Sequence, residues 1–247
     1  MTKRTLVIGI PLPNASFDNA SFLWASSFNE YTRLVIEPAA ASRVVDEVVQ
    51  GSVAHQTYGG QAIVNGEGSS YAFGLGELLA MRRRETARFV ERGGLVVCFA
   101  HPDAPHPEVV MEEPWRRYSW LPEHEAFSPK EHLLPGFGRA GAAITAEDHP
   151  FAPFVTELKK HIAYRAYADE TAPAFRDRGR VFARSDGGSP VGFDLPYAGG
   201  RLVFLPALDK PEAVRMQVAN LMADCLEAWE ATAASQHPVE MIRKEAS

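Results

Sequence analysis

The sequence has few cysteines, no basic excess and no long apolar run, and each shortage excludes a class of protein. Two cysteines in 247 residues are too few for a disulfide-stapled fold. The formal net charge of -6 argues against general nucleic-acid binding, because a phosphate-binding surface normally needs a basic excess. No apolar run approaches the roughly 20 residues of a membrane span, and the N-terminal residues lack a signal-peptide pattern. We therefore expect a cytoplasmic protein that does not contact membranes.

Sequence motifs of the common cofactor sites are also missing. Thr5 to Ile10 predicts a first buried strand, but prolines at positions 11 and 13 follow it, where a dinucleotide-binding turn has glycines. The glycines at 74 and 76 lack the Lys-Ser/Thr pair of a phosphate-binding loop. No His or Cys spacing is typical of zinc. Motifs therefore identify no cofactor.

The clearest positive signal is a helix followed by a diglycine and a buried strand. Apolar residues recur at spacings of three and four from Leu75 to Val90, which predicts an amphipathic helix. Gly93 and Gly94 end it, because glycine adopts the left-handed conformation common at helix C-termini. Leu95 to Ala100 is apolar without alternation, which is typical of a central strand in a parallel sheet covered by helices.

The last third of the chain predicts antiparallel strands. Apolar segments at 180–185, 190–195 and 201–206 are joined by glycine turns, so we expect a meander over about 180–206, followed by a helix from Pro211. The predicted fold is α/β: a three-layer sandwich with a mainly parallel central sheet and a C-terminal antiparallel meander. We expect one domain over 1–234 and a polar tail over 235–247.

Two insertions interrupt this pattern. Residues 52–70 contain a predicted hairpin that turns on two glycines and a loop after it. Residues 104–141 are rich in proline and aromatic residues, which predicts a long irregular insertion, and such loops are commonly functional. We expect it to supply a surface for a protein partner or for self-association. The aromatic residues predicted for that surface are Trp115, Tyr118, Trp120 and Phe127.

Polar side chains follow several predicted strands. Because ligands of doubly wound sheets bind at the carboxyl ends of the strands, the candidate catalytic residues are Asp18, Glu37, His101 and Asp103. Carboxylates and an imidazole could act as acid and base, and a divalent metal held by Asp18, Glu37 and His101 is possible. The alternative is structural, since the same residue types cap helices and form turns. Residues 14–22 likewise predict either a capped helix start or a polar ligand loop.

Two other residue types have mainly structural interpretations. Cys98 lies inside the predicted central strand and Cys225 on the apolar face of the last helix, so we interpret both as core residues rather than reactive thiols. Arg82 falls in the apolar stripe of the long helix, where its stem could be buried and its guanidinium could reach an acidic partner.

Three segments carry a resemblance to a known family. They are Phe89 to Val97, Pro190 to Phe193, and Tyr197 to Pro206. Together they resemble the class I glutamine amidotransferase-like superfamily, and more narrowly its non-catalytic branches. The resemblance implies a flavodoxin-like sandwich with a terminal antiparallel extension.

The same resemblance does not extend to the catalytic motifs of the active family. Those enzymes place a cysteine in a G-x-C-x-G turn directly after a strand, whereas Cys98 has no flanking glycine. Their His-Pro-Glu run follows a late strand, whereas His237-Pro238-Val239-Glu240 has an extra residue and lies in the polar tail. The resemblance therefore implies no amidotransferase activity.

Two functional hypotheses follow. The first is a non-enzymatic binding, scaffold or regulatory protein built on an amidotransferase-like fold. The alternative is a hydrolase or related enzyme, with or without a bound metal, that uses the acidic and histidine side chains at the carboxyl ends of the strands. The absence of a recognised nucleophile turn, phosphate loop or zinc spacing favours the first.

Overall fold

The computed structural model describes residues 4–41, 43–44, 55–56, 62–63, 70–105, 109–110, 116–139 and 142–236. The strands in these ranges are, in chain order, β1 (Thr5–Ile8), β2 (Phe17–Ala20), β3 (Arg33–Ile36), β4 (His55–Gln56), β5 (Ala62–Ile63), β6 (Leu95–Ala100), β7 (Val109–Val110), β8 (Leu133–Arg139), β9 (Ala142–Ile144), β10 (Ala163–Ala168), β11 (Arg180–Ser185), β12 (Pro190–Tyr197) and β13 (Gly200–Pro206).

The α-helices with defined bounds are α1 (Ser70–Glu91), α2 (Pro129–His132), α3 (Ala152–Glu157), α4 (Pro173–Asp177) and α5 (Arg215–Gln236). Short 3-10 turns occupy Phe28–Glu30, Lys159–His161 and Pro211–Val214, and a helical turn follows β3 at residues 40–41 and 43–44. Among the described helices, none has both the length and the apolarity needed to cross a membrane.

An eight-stranded sheet forms the centre, in the order β2-β1-β3-β6-β13-β12-β11-β9. β2, β1, β3, β6 and β13 run parallel to their neighbours, and β12, β11 and β9 extend the sheet in antiparallel register. All six residues of β6 are buried, and its neighbours β3 and β13 are both parallel to it. The central parallel strand and the C-terminal meander are thus confirmed.

Each face of the sheet has its own core. On one face, alternate strand residues such as Ile36 and Cys98 pack with Phe89 and Val90 of α1. On the other face, residues such as Val97 pack against α3 and α5, whose buried residues include Val218, Met222 and Leu226. At roughly 25 cal/mol per Å² of apolar area removed from water, burial on both faces supplies the main stabilisation. The three-layer sandwich is therefore confirmed.

The insertion over 104–141 is more regular than the long irregular segment that we predict from its prolines and aromatic residues. It contains α2 and β8, and β8 pairs antiparallel with β10 in a separate two-stranded sheet. Tyr118, Trp120 and Phe127 are buried in the core on the α1 face, whereas Trp115 lies outside the described residues. The prediction that these three aromatics form an exposed interaction surface is therefore wrong, because the segment folds back onto the sheet.

Other predictions fall partly on the described residues. β4 and β5 pair antiparallel, as expected for a hairpin, and β5 also pairs with β7. The rest of the hairpin and the polar tail beyond Gln236 lie outside the described residues.

Arg82 connects α1 to the loop between β2 and β3. Its side chain is almost fully buried and donates hydrogen bonds to the backbone carbonyls of Phe22, Ala25 and Ser26. The guanidinium also pairs with Glu85 at 2.7 Å. The predicted acidic partner is thus confirmed, and the arginine supplies donors for carbonyl groups that would otherwise be buried without partners.

Candidate functional site

Glu37 and His101 meet at the carboxyl edge of the parallel strands. Glu37 follows β3 and His101 follows the adjacent β6, so the ends of the two strands bring the side chains together. His101 Nε2 lies 2.9 Å from Glu37 Oε1, and the two side chains are 17% and 15% exposed. The same oxygen accepts a hydrogen bond from the Ala39 N–H at 3.1 Å. The backbone therefore orients the carboxylate, whereas His101 Nε2 lies close to it without a hydrogen-bond partner among the described residues.

Tyr118 fixes the backbone of His101. Its hydroxyl accepts a hydrogen bond from the His101 N–H at 3.1 Å and donates one to the His101 carbonyl at 2.9 Å. Burial raises the pKa of Tyr118 well above its usual value, and Cys98 nearby raises it further. Tyr118 is therefore a neutral phenol that anchors the end of β6. The sequence pattern predicts Tyr118 on an interaction surface, and no feature of its spacing connects it with His101.

Cys98 lies beneath this anchor, inside β6. Burial raises the pKa of its thiol well above the usual value, and the negative charge of Glu37 raises it further, while a hydrogen bond with Tyr118 opposes the shift. A nucleophilic thiolate needs the opposite environment, with exposure and nearby positive charge. Cys98 is therefore held as a neutral thiol.

Asp103 and Arg116 complete the arrangement. Arg116 Nε donates to Asp103 Oδ2 at 2.5 Å, and Arg117 donates to the Pro102 carbonyl at 2.9 Å. The second carboxylate oxygen, Oδ1, is buried and has no hydrogen-bond partner among the described residues. These contacts hold the loop after β6 against Arg116 and Arg117. We call these residues the carboxyl-edge cluster: Glu37, Cys98, His101, Asp103, Arg116 and Tyr118.

Asp18 does not join this cluster. It lies within β2, opposite Leu6 in the sheet register, and forms an ion pair with Arg4 at 2.5 Å in which both side chains are about half exposed. Residues 17–20 form the edge strand β2 rather than a helix start, so the capped-helix interpretation of this segment is wrong. Asp18, Glu37 and His101 are therefore not brought together, and the described residues contain no group of three His, Cys, Asp or Glu suited to a metal ion.

A cavity of about 640 Å³, the polar cleft, opens beside the carboxyl-edge cluster. Arg83, Asp103, Arg116, Tyr118, Ser119 and much of segment 121–131 line it. Charges of both signs surround it, because Arg83, Arg116 and Lys130 share the lining with Asp103, Glu123, Glu125 and Glu131. Its volume is in the range of small-molecule sites. Three cluster members therefore border a space large enough for a ligand.

A second polar cluster lies in the antiparallel half of the sheet. Arg201 Nη2 donates to Asp194 Oδ2 at 2.5 Å, and His149 Nε2 lies 3.9 Å from the same oxygen. The side chains of His149 and Asp194 are only 1% and 4% exposed. His149 Nδ1 accepts the Phe151 N–H at 3.2 Å, and its ring stacks on Phe182 with centroids 4.0 Å apart. We call His149, Asp194 and Arg201 the inner cluster. None of the three lines the polar cleft.

No protein-family model matches the chain, and no curated protein matches it. Among solved structures, a β-galactosidase from Bacillus circulans sp. alkalophilus is similar at a TM-score of 0.39 and 12% identity, over 93% of this chain. The match covers 31% of that enzyme, so the chain spans about a third of its length.

Two shorter proteins are similar over nearly their whole length. A cytoplasmic protein from Salmonella typhimurium has a TM-score of 0.41 and 11% identity, over 89% of this chain and 98% of its own. A cytoplasmic protein from Salmonella typhimurium LT2 has a TM-score of 0.42 and 10% identity, over 91% of this chain and 98% of its own. Similarities at this level assign the chain neither a family nor an activity.

Proposed function

We propose that the protein is a non-enzymatic binding module whose ligand occupies the polar cleft. The observation that carries the proposal is the position of the cleft beside a cluster whose own groups bind one another. Tyr118 bonds both backbone groups of His101, and Arg116 bonds Asp103. A lining preorganised in this way suits binding, because little side-chain freedom is lost when a ligand enters.

The chemistry of the cluster supports binding over catalysis. Its two groups that could become nucleophiles, Cys98 and Tyr118, both have a raised pKa, so they stay protonated at neutral pH. Cys98 also lies within β6 rather than in the exposed turn that a cysteine nucleophile of this kind requires. This placement is consistent with the non-catalytic branch of the amidotransferase-like superfamily that the sequence resembles.

The partner expected from the aromatic insertion needs a different surface. Tyr118, Trp120 and Phe127 are buried and cannot contact another protein without unfolding of the segment. We therefore propose that binding takes place in the polar cleft rather than on these aromatic residues.

A thermal-shift experiment tests this proposal. Wild-type protein is screened against nucleotides, organic acids, amino acids, sugars and divalent metals, since a ligand that binds only the folded state raises Tm. We expect at least one compound to raise Tm in wild type and in an Arg184→Gln control, which alters an exposed ion pair elsewhere. The shift should disappear in Asp103→Asn and Arg116→Gln. Ligand shifts that survive both cleft substitutions, or no shift with any compound, would contradict the proposal.

A hydrolase remains the second candidate because of one contact. Glu37 Oε1 lies 2.9 Å from His101 Nε2, which is close enough for a carboxylate to orient a histidine base once the two groups align. Ester and amide substrates of several acyl sizes test it. Turnover by wild type that falls at least about 100-fold in His101→Ala and persists in Arg116→Gln would favour the hydrolase. Equal background rates in all three proteins would exclude it for those substrates.

A further inference from the structure

A second cavity, separate from the polar cleft, lies where the order of successive strands in the parallel sheet reverses. The chain passes from β1 to β2 on one side and then to β3 on the other, so β1 is flanked by the two strands that follow it. In doubly wound sheets such a reversal leaves a crevice at the carboxyl ends of the strands, where ligands bind. A cavity of about 270 Å³ occupies this position, beside Gly9 and Ser21 at the ends of β1 and β2.

The lining of this cavity is mainly apolar and comes from both faces of the sheet. Val7 and Ile10 belong to the core on the α5 face, whereas Phe22, Ala40 and Val44 belong to the core on the α1 face. All five line the cavity. Because water gains few hydrogen bonds from such walls, an apolar group of matching size displaces it favourably.

Gly9 allows the two sides of the cavity to approach closely. Its φ of +88° is in the left-handed region, and a Cβ at this position would lie 2.4 Å from the Ala40 side chain and 2.8 Å from the Glu37 carbonyl. Any larger residue would therefore separate the end of β1 from the helical turn after β3.

The polar groups of the lining divide into those already in use and those open to a ligand. The Asn19 amide accepts the Leu12 N–H at 2.7 Å and donates to the Leu12 carbonyl at 2.9 Å. Ser21 Oγ accepts the Trp24 N–H at 3.3 Å, so its own O–H is still a donor. Arg43 is exposed and lines the cavity. Among the described residues, the side chains of the lining that can donate to a ligand therefore include the Ser21 hydroxyl and the cationic Arg43.

We propose that this cavity binds a small organic acid, with its apolar body against Val7, Ile10, Phe22 and Val44 and its carboxylate toward Arg43 and Ser21. The charge of Arg43 selects an anion over a cation, since a guanidinium presents several N–H donors to a carboxylate. The volume limits the apolar body to about the size of a benzene ring, because protein cavities of this order accept such groups. The site shares no residue with the polar cleft, so the inference is independent of the proposed function.

Isothermal titration with phenylacetate and with its neutral isostere phenylacetamide tests the inference. We expect phenylacetate to bind the wild-type chain at least about tenfold more tightly than phenylacetamide, because only the acid forms a charge-assisted contact. In Arg43→Gln that preference should disappear, while phenylacetamide binds as before. The control is Arg84→Gln, which changes an exposed arginine of α1 that lines neither cavity. It should retain the wild-type preference.

Three results would contradict binding of an organic acid in this cavity. Equal affinity of wild type for the acid and the amide, an unchanged preference in Arg43→Gln, or no binding of either probe at millimolar concentration would overturn the inference. Arg43 is exposed, so its substitution is not expected to prevent folding, and circular dichroism verifies this. A second variant, Ala20→Leu, fills the cavity from β2 and should weaken both probes.

Discussion

The carboxyl-edge cluster and the inner cluster contain the same kinds of side chain in different surroundings. Each has a histidine near a carboxylate and an arginine paired with a carboxylate. Three members of the carboxyl-edge cluster border a cavity of about 640 Å³. The inner cluster instead lies beneath Phe151, Phe182 and Trp229, which contact the His149 ring. Access to a cavity, rather than residue composition, therefore distinguishes a candidate binding site from a structural network.

The two clusters also differ in how deeply the histidine and its carboxylate are buried. Both contain buried atoms without a hydrogen-bond partner among the described residues, namely His101 Nε2 and Asp103 Oδ1 in the first, and His149 Nε2, Asp194 Oδ1 and Arg201 Nε in the second. The side chains of His149 and Asp194 are only 1% and 4% exposed, however, whereas those of His101 and Glu37 are 17% and 15% exposed. Removal of one partner from such a buried network is costly, because it leaves the remaining charge without compensation. We therefore expect the inner cluster to matter for stability and the carboxyl-edge cluster to matter for binding.

Asp194→Ala should give the largest loss of stability. It removes the carboxylate that accepts from Arg201 and faces His149, and we expect the free energy of unfolding to fall by about 3 kcal/mol or more. Urea denaturation followed by circular dichroism measures the change. Asp194→Asn keeps an acceptor oxygen and should lose less. A loss below about 1 kcal/mol for Asp194→Ala would show that the inner cluster is not the more stabilising of the two clusters.

Tyr118→Phe should have an intermediate effect. The substitution keeps the ring in the core but removes the hydroxyl from two backbone groups of His101, so we expect a loss of about 1–3 kcal/mol in the free energy of unfolding. The same denaturation experiment measures it. Tyr167→Phe is the control, because Tyr167 is a partly buried tyrosine of β10 that packs against the core on the other face of the sheet. Equal stability of Tyr118→Phe and wild type would mean that the hydroxyl does not anchor the end of β6.

The two cysteines provide a smaller, pH-dependent test. Burial raises the pKa of Cys225 from 9.0 to about 12, and burial also raises the pKa of Cys98. As the pH rises, each thiol ionises in the unfolded chain before it ionises in the folded protein. Its contribution to the free energy of unfolding is therefore complete below pH 9 and is lost as the pH rises toward the folded pKa. Between pH 9 and 10, wild type should lose about 1 kcal/mol more stability than Cys225→Ala.

Cys98→Ala, like Cys225→Ala, should lose less stability than wild type as the pH rises. Denaturation at pH 8, 9 and 10 provides the comparison. A carboxyl-edge cluster that activated its thiol would lower the pKa of Cys98, and Cys98→Ala would then increase the alkaline loss relative to wild type. That result would support the enzyme and contradict the binding module.

Arg184→Gln should have the smallest effect. Its guanidinium pairs with Glu170 at 2.6 Å, but the two side chains are 32% and 46% exposed. Solvent screening limits such pairs to less than about 1 kcal/mol, although the hydrogen bond with Glu170 raises the pKa of Arg184. Denaturation in low and high salt measures the effect. A loss comparable with that of Asp194→Ala would show that burial does not account for the difference between ion pairs in this protein.

The sequence was most informative where hydrophobic pattern and topology determine position. Leu95–Ala100 is apolar without alternation, and β6 is indeed buried between parallel neighbours. Because β3 and β6 are parallel neighbours, the residues that follow them share one edge of the sheet. Glu37 and His101 therefore met as expected, and Arg82 reached an acidic side chain from its apolar stripe.

The sequence was least informative where a segment returns to the core from a distance. The local pattern of residues 116–127 does not indicate whether an aromatic side chain is buried or exposed. It therefore predicts Tyr118 and Trp120 on the surface, although both are buried. Asp18 was misplaced because β2 is a short edge strand, with Asp18 and Asn19 among its four residues, and such a pattern resembles a capped helix start. The inner cluster gave no signal, since His149 and Asp194 are 45 positions apart in the chain.

Chemical-shift mapping by NMR tests the central claim most directly. Isotope-labelled wild-type protein is titrated with the compound that gives the largest thermal shift, and the Asp103→Asn/Arg116→Gln double variant is titrated in parallel. The binding-module account predicts perturbations concentrated at Asp103, Tyr118 and residues 121–131, no conversion of the compound, and no perturbation there in the double variant. Perturbations confined to other surfaces, or conversion of the compound that His101→Ala abolishes, would contradict it.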